Sequence, residues 1–356
     1  MLSKQHKYVL IPVDLCEDGS ILGEDVFTES GKLVLSEGTI LTAELIEKLI
    51  ALGIFTVSIQ AQLGLDESNN IYVNDNHKEV IEKAYQTLDT IMGMLANRKP
   101  VSIKNHEQEL QDLLQSTIST GEIIDILRQV QAFDDYLYKH SLAVGIYSVM
   151  LAAWLKLDDK DIKNVGLAGI LHDIGKTKID KELLSKPNSL TGRQQEILER
   201  HVRFSHDIVK FCGFHDSGML KAILQHHERI DGSGYPERIK GNLIHPFAHI
   251  VAVADRYHNL TTDQPDKKRI NHTEALKALR KEAFTCLDAK TVLTFIDGMM
   301  GKYSGRFCKM SNGQSGKVVF INRDDPIYPI IKIGKGAESK YIDLRFEKNL
   351  SIHEIL

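Results

Sequence analysis

Two hydrophobic periodicities alternate along the chain, and the switches between them mark its organisation. Tyr8–Val13 and Leu33–Leu35 are short apolar runs of strand type. Leu45, Ile46, Leu49 and Ile50 then recur at helical spacing behind Thr42, which suits an N-cap, and Gly53 suits the residue that ends such a helix. Phe55, Val57 and Ile59 alternate like a half-buried strand. Residues 1–62 are thus expected to form a small α/β module. Residues 63–76 are polar and turn-rich and read as a connector. Over residues 77–97, Ile81, Ala84, Leu88, Ile91 and Leu95 form a heptad seam of about two repeats. Such a seam suits a helix packed on its own domain or a homodimer helix, and both readings stay open.

Residues 106–300 follow the helical period almost throughout. Helices are predicted around 106–117, 121–132, 136–156, 160–174, 191–212, 217–228, 247–261 and 273–283, with Gly and Pro clustered at 231–246. Beyond 300 the pattern shortens to KVVFIN, YPIIKIG and KYIDLRF, which predict a sheet of three to five strands. The expected architecture is multidomain. It comprises the α/β module at 1–62, a helical linker region at 63–120, a central all-α domain at 121–300 and a small β domain at 301–356.

Composition narrows the class without naming it. A hydrophobic content of 42% and a charged content of 26% fit an ordinary soluble domain. The net charge of −4 gives no sign of a surface for a DNA or RNA polymer, although a small anion needs only a local basic patch. Cys16, Cys212, Cys286 and Cys308 form no CxxC pair, which argues against a zinc ribbon or a disulfide framework. No signal-peptide core and no run of roughly 18 apolar residues is visible, so a cytoplasmic protein without membrane contact is expected.

The chemistry-bearing residues are scattered. His140, the pair His172–Asp173, His201, the pair His226–His227 and Asp255 each lie within or beside an apolar helical pattern. Imidazoles and carboxylates at the ends of core-facing helices are costly unless paired or bound to metal. Seven such groups exceed the needs of one tetrahedral ion and suit two octahedral ones. Mixed imidazole and carboxylate donors without thiolate favour iron or manganese. Two ions about 3.5–4 Å apart form a clamp for in-line displacement at phosphorus. Lys176, three residues after Asp173, would share its helical face and could hold a phosphate oxygen or assist the leaving group.

The segments HDIGK at 172–176, HHERIDGSGYP at 226–236 and VAVAD at 251–255, with His201, closely resemble the HD-GYP cyclic-dinucleotide phosphodiesterases, a branch of the HD superfamily. The match runs from about residue 134 to 297. ILGEDVFTESGKLVLSEGTILT resembles a module often found ahead of such domains, and MSNGQSGKVVFIN an extension often found after them. The resemblance implies an HD-type helical fold for the central domain. It implies His140, His172, Asp173, His201, His226, His227 and Asp255 as ligands of two divalent ions, iron or manganese, with Asp173 bridging them. It marks Lys176 as the signature lysine. It places Gly234, Tyr235 and Pro236 in a loop near the substrate and implies the same loop as a contact for a partner protein such as a cyclase.

The departures from the family pattern carry information of their own. Tyr136 stands where some members have a Glu ligand for a third metal, with Asp134 and Asp135 as neighbouring carboxylates. DRYHNL replaces the usual DxYDAL, so His258 takes the place of an Asp. Gln264 occupies the position of a substrate-contacting Arg, while Lys267 keeps a basic group nearby. Gln cannot reproduce a bidentate Arg contact to phosphate or guanine. Hydrolysis of a cyclic dinucleotide to the linear dinucleotide or mononucleotides is expected, with cyclic di-GMP first and cyclic GMP-AMP open because of Gln264. A weakly catalytic cyclic-dinucleotide receptor and an HD-type hydrolase of another phosphoester are the alternatives. His206, His215, His245, His249, His258 and His272 are expected to be structural or surface residues.

Overall fold

The computed structural model describes residues 8–13, 16, 18–28, 31–54, 56–60, 75–185, 190–264, 268–334, 340–347 and 349–355. The N-terminal segment holds strands β1 (Tyr8–Pro12), β2 (Val26–Phe27), β3 (Leu33–Leu35) and β4 (Thr56–Gln60) and helix α1 (Ala43–Ala51). β1 pairs antiparallel with β4, and β2 with β3. Thr42 caps α1 by accepting from the Leu45 amide. Val13, Leu22, Val26, Leu41, Leu49 and Val57 form a small apolar cluster of their own.

Helices follow from residue 75: α2 (Asp75–Ala96), α3 (Glu107–Thr120), α4 (Ile123–Gln131), α5 (Tyr136–Trp154), α6 (Asp159–Leu171), α7 (Lys181–Ser185), α8 (Gly192–Glu199), α9 (His201–Phe211), α10 (Ser217–Gln225), α11 (Pro246–Thr261), α12 (His272–Glu282) and α13 (Ala289–Tyr303). The chain closes in strands β5 (Phe307–Met310), β6 (Ser315–Phe320), β7 (Ile330–Ile333), β8 (Lys340–Asp343) and β9 (Ile352–Ile355). These form one antiparallel sheet in the order β8-β7-β6-β5-β9. The molecule is therefore mostly helical, with small N-terminal strand pairs and a C-terminal sheet. Among the described residues, no helix is long and apolar enough to cross a membrane.

Helix α7 is not among the predicted helices, and other details differ from the sequence expectation. The helix expected over 191–212 breaks between Glu199 and His201, and α13 lies beyond the last predicted helix. The seam Ile81, Ala84, Leu88, Ile91 and Leu95 is buried, and it belongs to the same large apolar cluster as α5 and the C-terminal sheet.

α5 is the pillar of the helical region. Every residue from His140 to Ala152 is buried. A helix apolar all round belongs inside a bundle, and each fully buried aliphatic side chain contributes roughly 1.5–3 kcal/mol. Asp135 starts α5 by accepting from the Leu137 and Tyr138 amides, and this use as an N-cap engages the carboxylate. Close approach to α6 depends on small residues. A Cβ on Gly169 would lie 2.9 Å from Gly145 Cα and 2.8 Å from Ser148 Oγ. That contact brings His140 on α5 up to the end of α6, where His172 and Asp173 stand.

After α6 the chain turns through a 3-10 segment, Ile174–Lys178, which packs on α9. The Gly175 amide donates to Ser205 Oγ at 2.8 Å. A Cβ on Gly175 would strike the His201 carbonyl and the Ser205 backbone. Gly175→Ala must therefore force the turn away from α9, and we expect it to cost roughly 1–3 kcal/mol, the range for overpacking a close contact. Gly192→Ala, at a position open within 4 Å, should change stability by less than about 0.5 kcal/mol. Urea unfolding of both variants measures the difference, and equal stabilities would contradict the packing argument.

Candidate metal centre

Five chain segments deliver the seven residues to one place. His140 comes from the second turn of α5, His172 and Asp173 from the end of α6, and His201 from the first position of α9. His226 and His227 follow α10, and Asp255 comes from α11. His140, His172, Asp173, His201, His226 and Asp255 are all at most 4% exposed. Their donor atoms fall into two adjoining groups, His140–His172–Asp255 and Asp173–His201–His226–His227, each with donors within 4.8 Å of one another.

The Asp173 carboxylate faces both groups. Its Oδ2 lies 3.4 Å from His140 Nε2 and 3.3 Å from His172 Nε2, while its Oδ1 lies 3.2 Å from His201 Nε2. Asp255 Oδ1 lies 3.2 Å from His140 Nε2. Burial opposes ionisation of Asp173. His172, Lys176 and His140 outweigh it and hold the carboxyl well below the usual range. Asp255 is likewise held low, against its burial, by His140 and His172. Burial alone would lower the His172 imidazole, but Asp173 and Asp255 raise it to about 9. Burial and neighbouring imidazoles push His226 and His227 well below the usual histidine value.

Backbone carbonyls set the tautomers of three imidazoles. His172 Nδ1 donates to Gly169 O at 2.7 Å, His201 Nδ1 to Leu198 O at 2.7 Å and His226 Nδ1 to Ile223 O at 2.8 Å. Each contact reaches back three residues, so the helix ends themselves fix the rings. When neutral, each ring directs a bare Nε2 inward. His201 Nε2, His226 Nε2 and Asp173 Oδ1 are buried without a hydrogen-bond partner. His140 Nε2 and His172 Nε2 face each other at 3.3 Å. Unpaired acceptors and facing imidazole nitrogens are costly in a protein interior, and cations would satisfy them. The residues therefore fit metal ions.

Lys176 reaches the cluster by a different route from the expected continuous helix. The 3-10 geometry eclipses residues three apart, and Lys176 Nζ donates to Asp173 Oδ2 at 2.5 Å. Its side chain remains 24% exposed, so it borders both the carboxylate and the opening.

Within HHERIDGSGYP, only the two histidines enter the donor groups. Glu228, which the sequence reading left without a role, is 3% exposed. Its carboxylate accepts from the amides of Glu237, Arg238 and Ile239 at 2.6, 3.1 and 3.1 Å. Asp231 accepts from the amide and hydroxyl of Ser233. A Cβ on Gly234 would strike the backbone of residues 227–229. These constraints set the Tyr235 ring beside His227, with centroids 4.6 Å apart, and Pro236 follows across a cis peptide bond.

Sequence reasoning also missed the support on α11. Asp255, His258 and Asn259 lie at i, i+3 and i+4, one helical face. Asn259 Nδ2 donates to Asp255 Oδ1 at 2.6 Å. Tyr136 OH donates to Asn259 Oδ1 at 2.9 Å, and Gln264 Nε2 donates to the same oxygen at 3.0 Å. Tyr136 also stacks on His140. Gln264 is therefore engaged inside the protein. His258, expected to be a structural or surface residue outside the ligand set, is buried and touches His140, with Nδ1 atoms 2.9 Å apart. Lys267 lies outside the described residues.

The model of the HD domain matches residues 89–291. A cyclic di-GMP phosphodiesterase of Pseudomonas aeruginosa is 30% identical over 237 residues, covering 66% of this chain and 57% of that protein. The cyclic di-GMP phosphodiesterase response regulator RpfG of Xanthomonas campestris is 34% identical over 151 residues, covering 42% and 40%. A 3'3'-cGAMP-specific phosphodiesterase of Vibrio cholerae is 28% identical over 169 residues, covering 47% and 35%. The chain thus spans well under two thirds of the length of these relatives. An HDG"Y"P protein from Bdellovibrio bacteriovorus shares the fold, with a TM-score of 0.53 at 17% identity over 82% of this chain and 99% of that one. The matched region and the gathered His and Asp side chains place the chain in the HD-domain family.

Proposed function

We propose that the chain is a metal-dependent phosphodiesterase that hydrolyses a cyclic dinucleotide, with cyclic di-GMP as the first candidate and cyclic GMP-AMP as the second. The observation that carries this reading is the pair of adjoining donor groups with buried, unpartnered acceptors facing inward. His140, His172 and Asp255 would hold one divalent ion and His201, His226 and His227 the other, with Asp173 offering one oxygen to each. Imidazole and carboxylate donors without thiolate favour iron or manganese. Such ions lower the pKa of water and neutralise charge on phosphate oxygens.

The protein's own groups supply position and protons. Hydrolysis adds a hydroxide to phosphorus, breaks the P–O ester bond and returns a proton to the leaving oxygen. Lys176, an ammonium beside Asp173 and partly open to solvent, is suited to hold a phosphate oxygen or give that proton. Tyr235, held beside His227, offers an aromatic face to a base. Arg200, Arg203 and Arg238 line a cavity of about 190 Å³ with Tyr235 and Pro236. Glu196 and Glu199 line the same cavity, and the three guanidinium groups are the contacts it offers to an anionic ligand. Gly234 lets the loop approach residues 227–229. The exposed Asp231, Ser233, Glu237 and Arg238 give the same loop a surface for a partner such as a cyclase. Residues 1–62 are proposed as a separate unit, supported by their own apolar cluster.

Incubation of the iron- or manganese-loaded protein with cyclic di-GMP and cyclic GMP-AMP, followed by product analysis, tests the reading. Linear dinucleotide or mononucleotides are expected, and no turnover with either metal would refute it. Asp173→Asn should lower bound metal and reduce turnover by more than the roughly 10–100-fold typical of residues that only support a ligand. Lys176→Met should keep its metal and lose kcat by about a hundredfold, the scale of one lost charge-stabilising donor. Metal uptake must displace the proton that His172 holds up to a pKa of about 9. Apparent metal affinity, followed by titration, should therefore weaken steadily as pH falls below about 9.

A further inference from the structure

His258 has both ring nitrogens engaged. Its Nδ1 lies 2.9 Å from His140 Nδ1, and its Nε2 lies 3.1 Å from Thr262 Oγ1. All three residues are buried. The ring is therefore not itself placed to ligate an ion, and it falls outside both donor groups. Two neutral imidazole nitrogens at 2.9 Å form a hydrogen bond only if one carries a proton and the other does not.

That condition allows two arrangements. In one, His258 donates from Nδ1, so His140 carries its proton on Nε2, the nitrogen that faces His172, Asp173 and Asp255. A protonated Nε2 cannot ligate a cation. In the other, His140 donates from Nδ1 to His258 Nδ1, and His258 donates from Nε2 to the Thr262 hydroxyl. Only this second arrangement leaves His140 Nε2 bare. His172, His201 and His226 obtain the equivalent orientation from backbone carbonyls three residues back. His140 lies in the interior of α5, where the carbonyls are taken by the helix. It needs a side chain for the same purpose.

We propose that His258 is a positioning residue that accepts the Nδ1 proton of His140 and so presents the bare Nε2 of His140 to a metal ion, with Thr262 holding His258 in the matching tautomer. The inference rests on the metal reading above and adds the group that orients His140, a ligand that no backbone carbonyl holds in the way those of His172, His201 and His226 are held. A ligand whose orienting partner is removed typically loses 10–100-fold in metal affinity.

The test uses the full chain loaded with zinc, a diamagnetic probe. Nitrogen NMR of the imidazoles should show His258 protonated at Nε2 and bare at Nδ1, with a hydrogen-bonded proton on His140 Nδ1. His258→Leu should weaken the more labile of two zinc ions by about 10–100-fold. His258→Asn, whose Oδ1 can stand near the place of Nδ1, should recover most of that loss. A His258 ring protonated at Nδ1 in the zinc-loaded wild type would overturn the proposal even if the leucine variant failed to fold. So would unchanged zinc affinity in a folded His258→Leu variant. Wild-type protein that takes up no zinc, iron or manganese would remove the metal reading itself, which separates the two failures.

Discussion

Two buried carboxylates, Asp173 and Asp255, are the constraint around which the helical region is arranged. An isolated carboxylate in a protein interior is heavily penalised. Here each is surrounded by imidazoles, and the surroundings hold both ionised against their own burial. Three histidines, a lysine and an asparagine converge on them from different elements. That convergence constrains where α5, α6, α9 and α11 begin, end and cross. The break before His201 is one instance. There Leu198 O, at the end of α8, accepts from His201 Nδ1.

The donor set was legible in the sequence because its members sit beside strong apolar patterns, where an ionisable residue is conspicuous. VAVAD and LAGILHD are such cases. Most of the helix order was equally legible, since long periodic segments leave little choice, but α7 and α13 were not foreseen. Less legible were features set by contacts distant in sequence. Nothing local in TGRQQEILERHVRF announces a break, because the pattern of Ile197, His201 and Phe204 remains helical across it. The role of Glu228 depends on three amides that fold back from residues 237–239. The support on α11 was partly readable, since Asp255, His258 and Asn259 share a face. Its partners Tyr136 and Gln264 come from an earlier helix and a following loop, and no spacing rule joins them.

The departures from the family pattern look independent in the sequence. In the structure Tyr136, Asn259 and Gln264 meet at a single amide oxygen beside Asp255. The tyrosine that replaces a carboxylate and the glutamine that replaces an arginine are thus parts of one hydrogen-bonded assembly. On the side of Tyr235, Arg200, Arg203 and Arg238 share a cavity with Glu196 and Glu199.

The three amides gathered by Glu228 have a further consequence. A loop held by one internal carboxylate carries its shape before any ligand arrives. Docking against Tyr235 then orders little additional backbone, and the entropic cost of that ordering is largely absent. A loop shaped in advance in this way would discriminate by the fit of what meets it rather than by adapting to it.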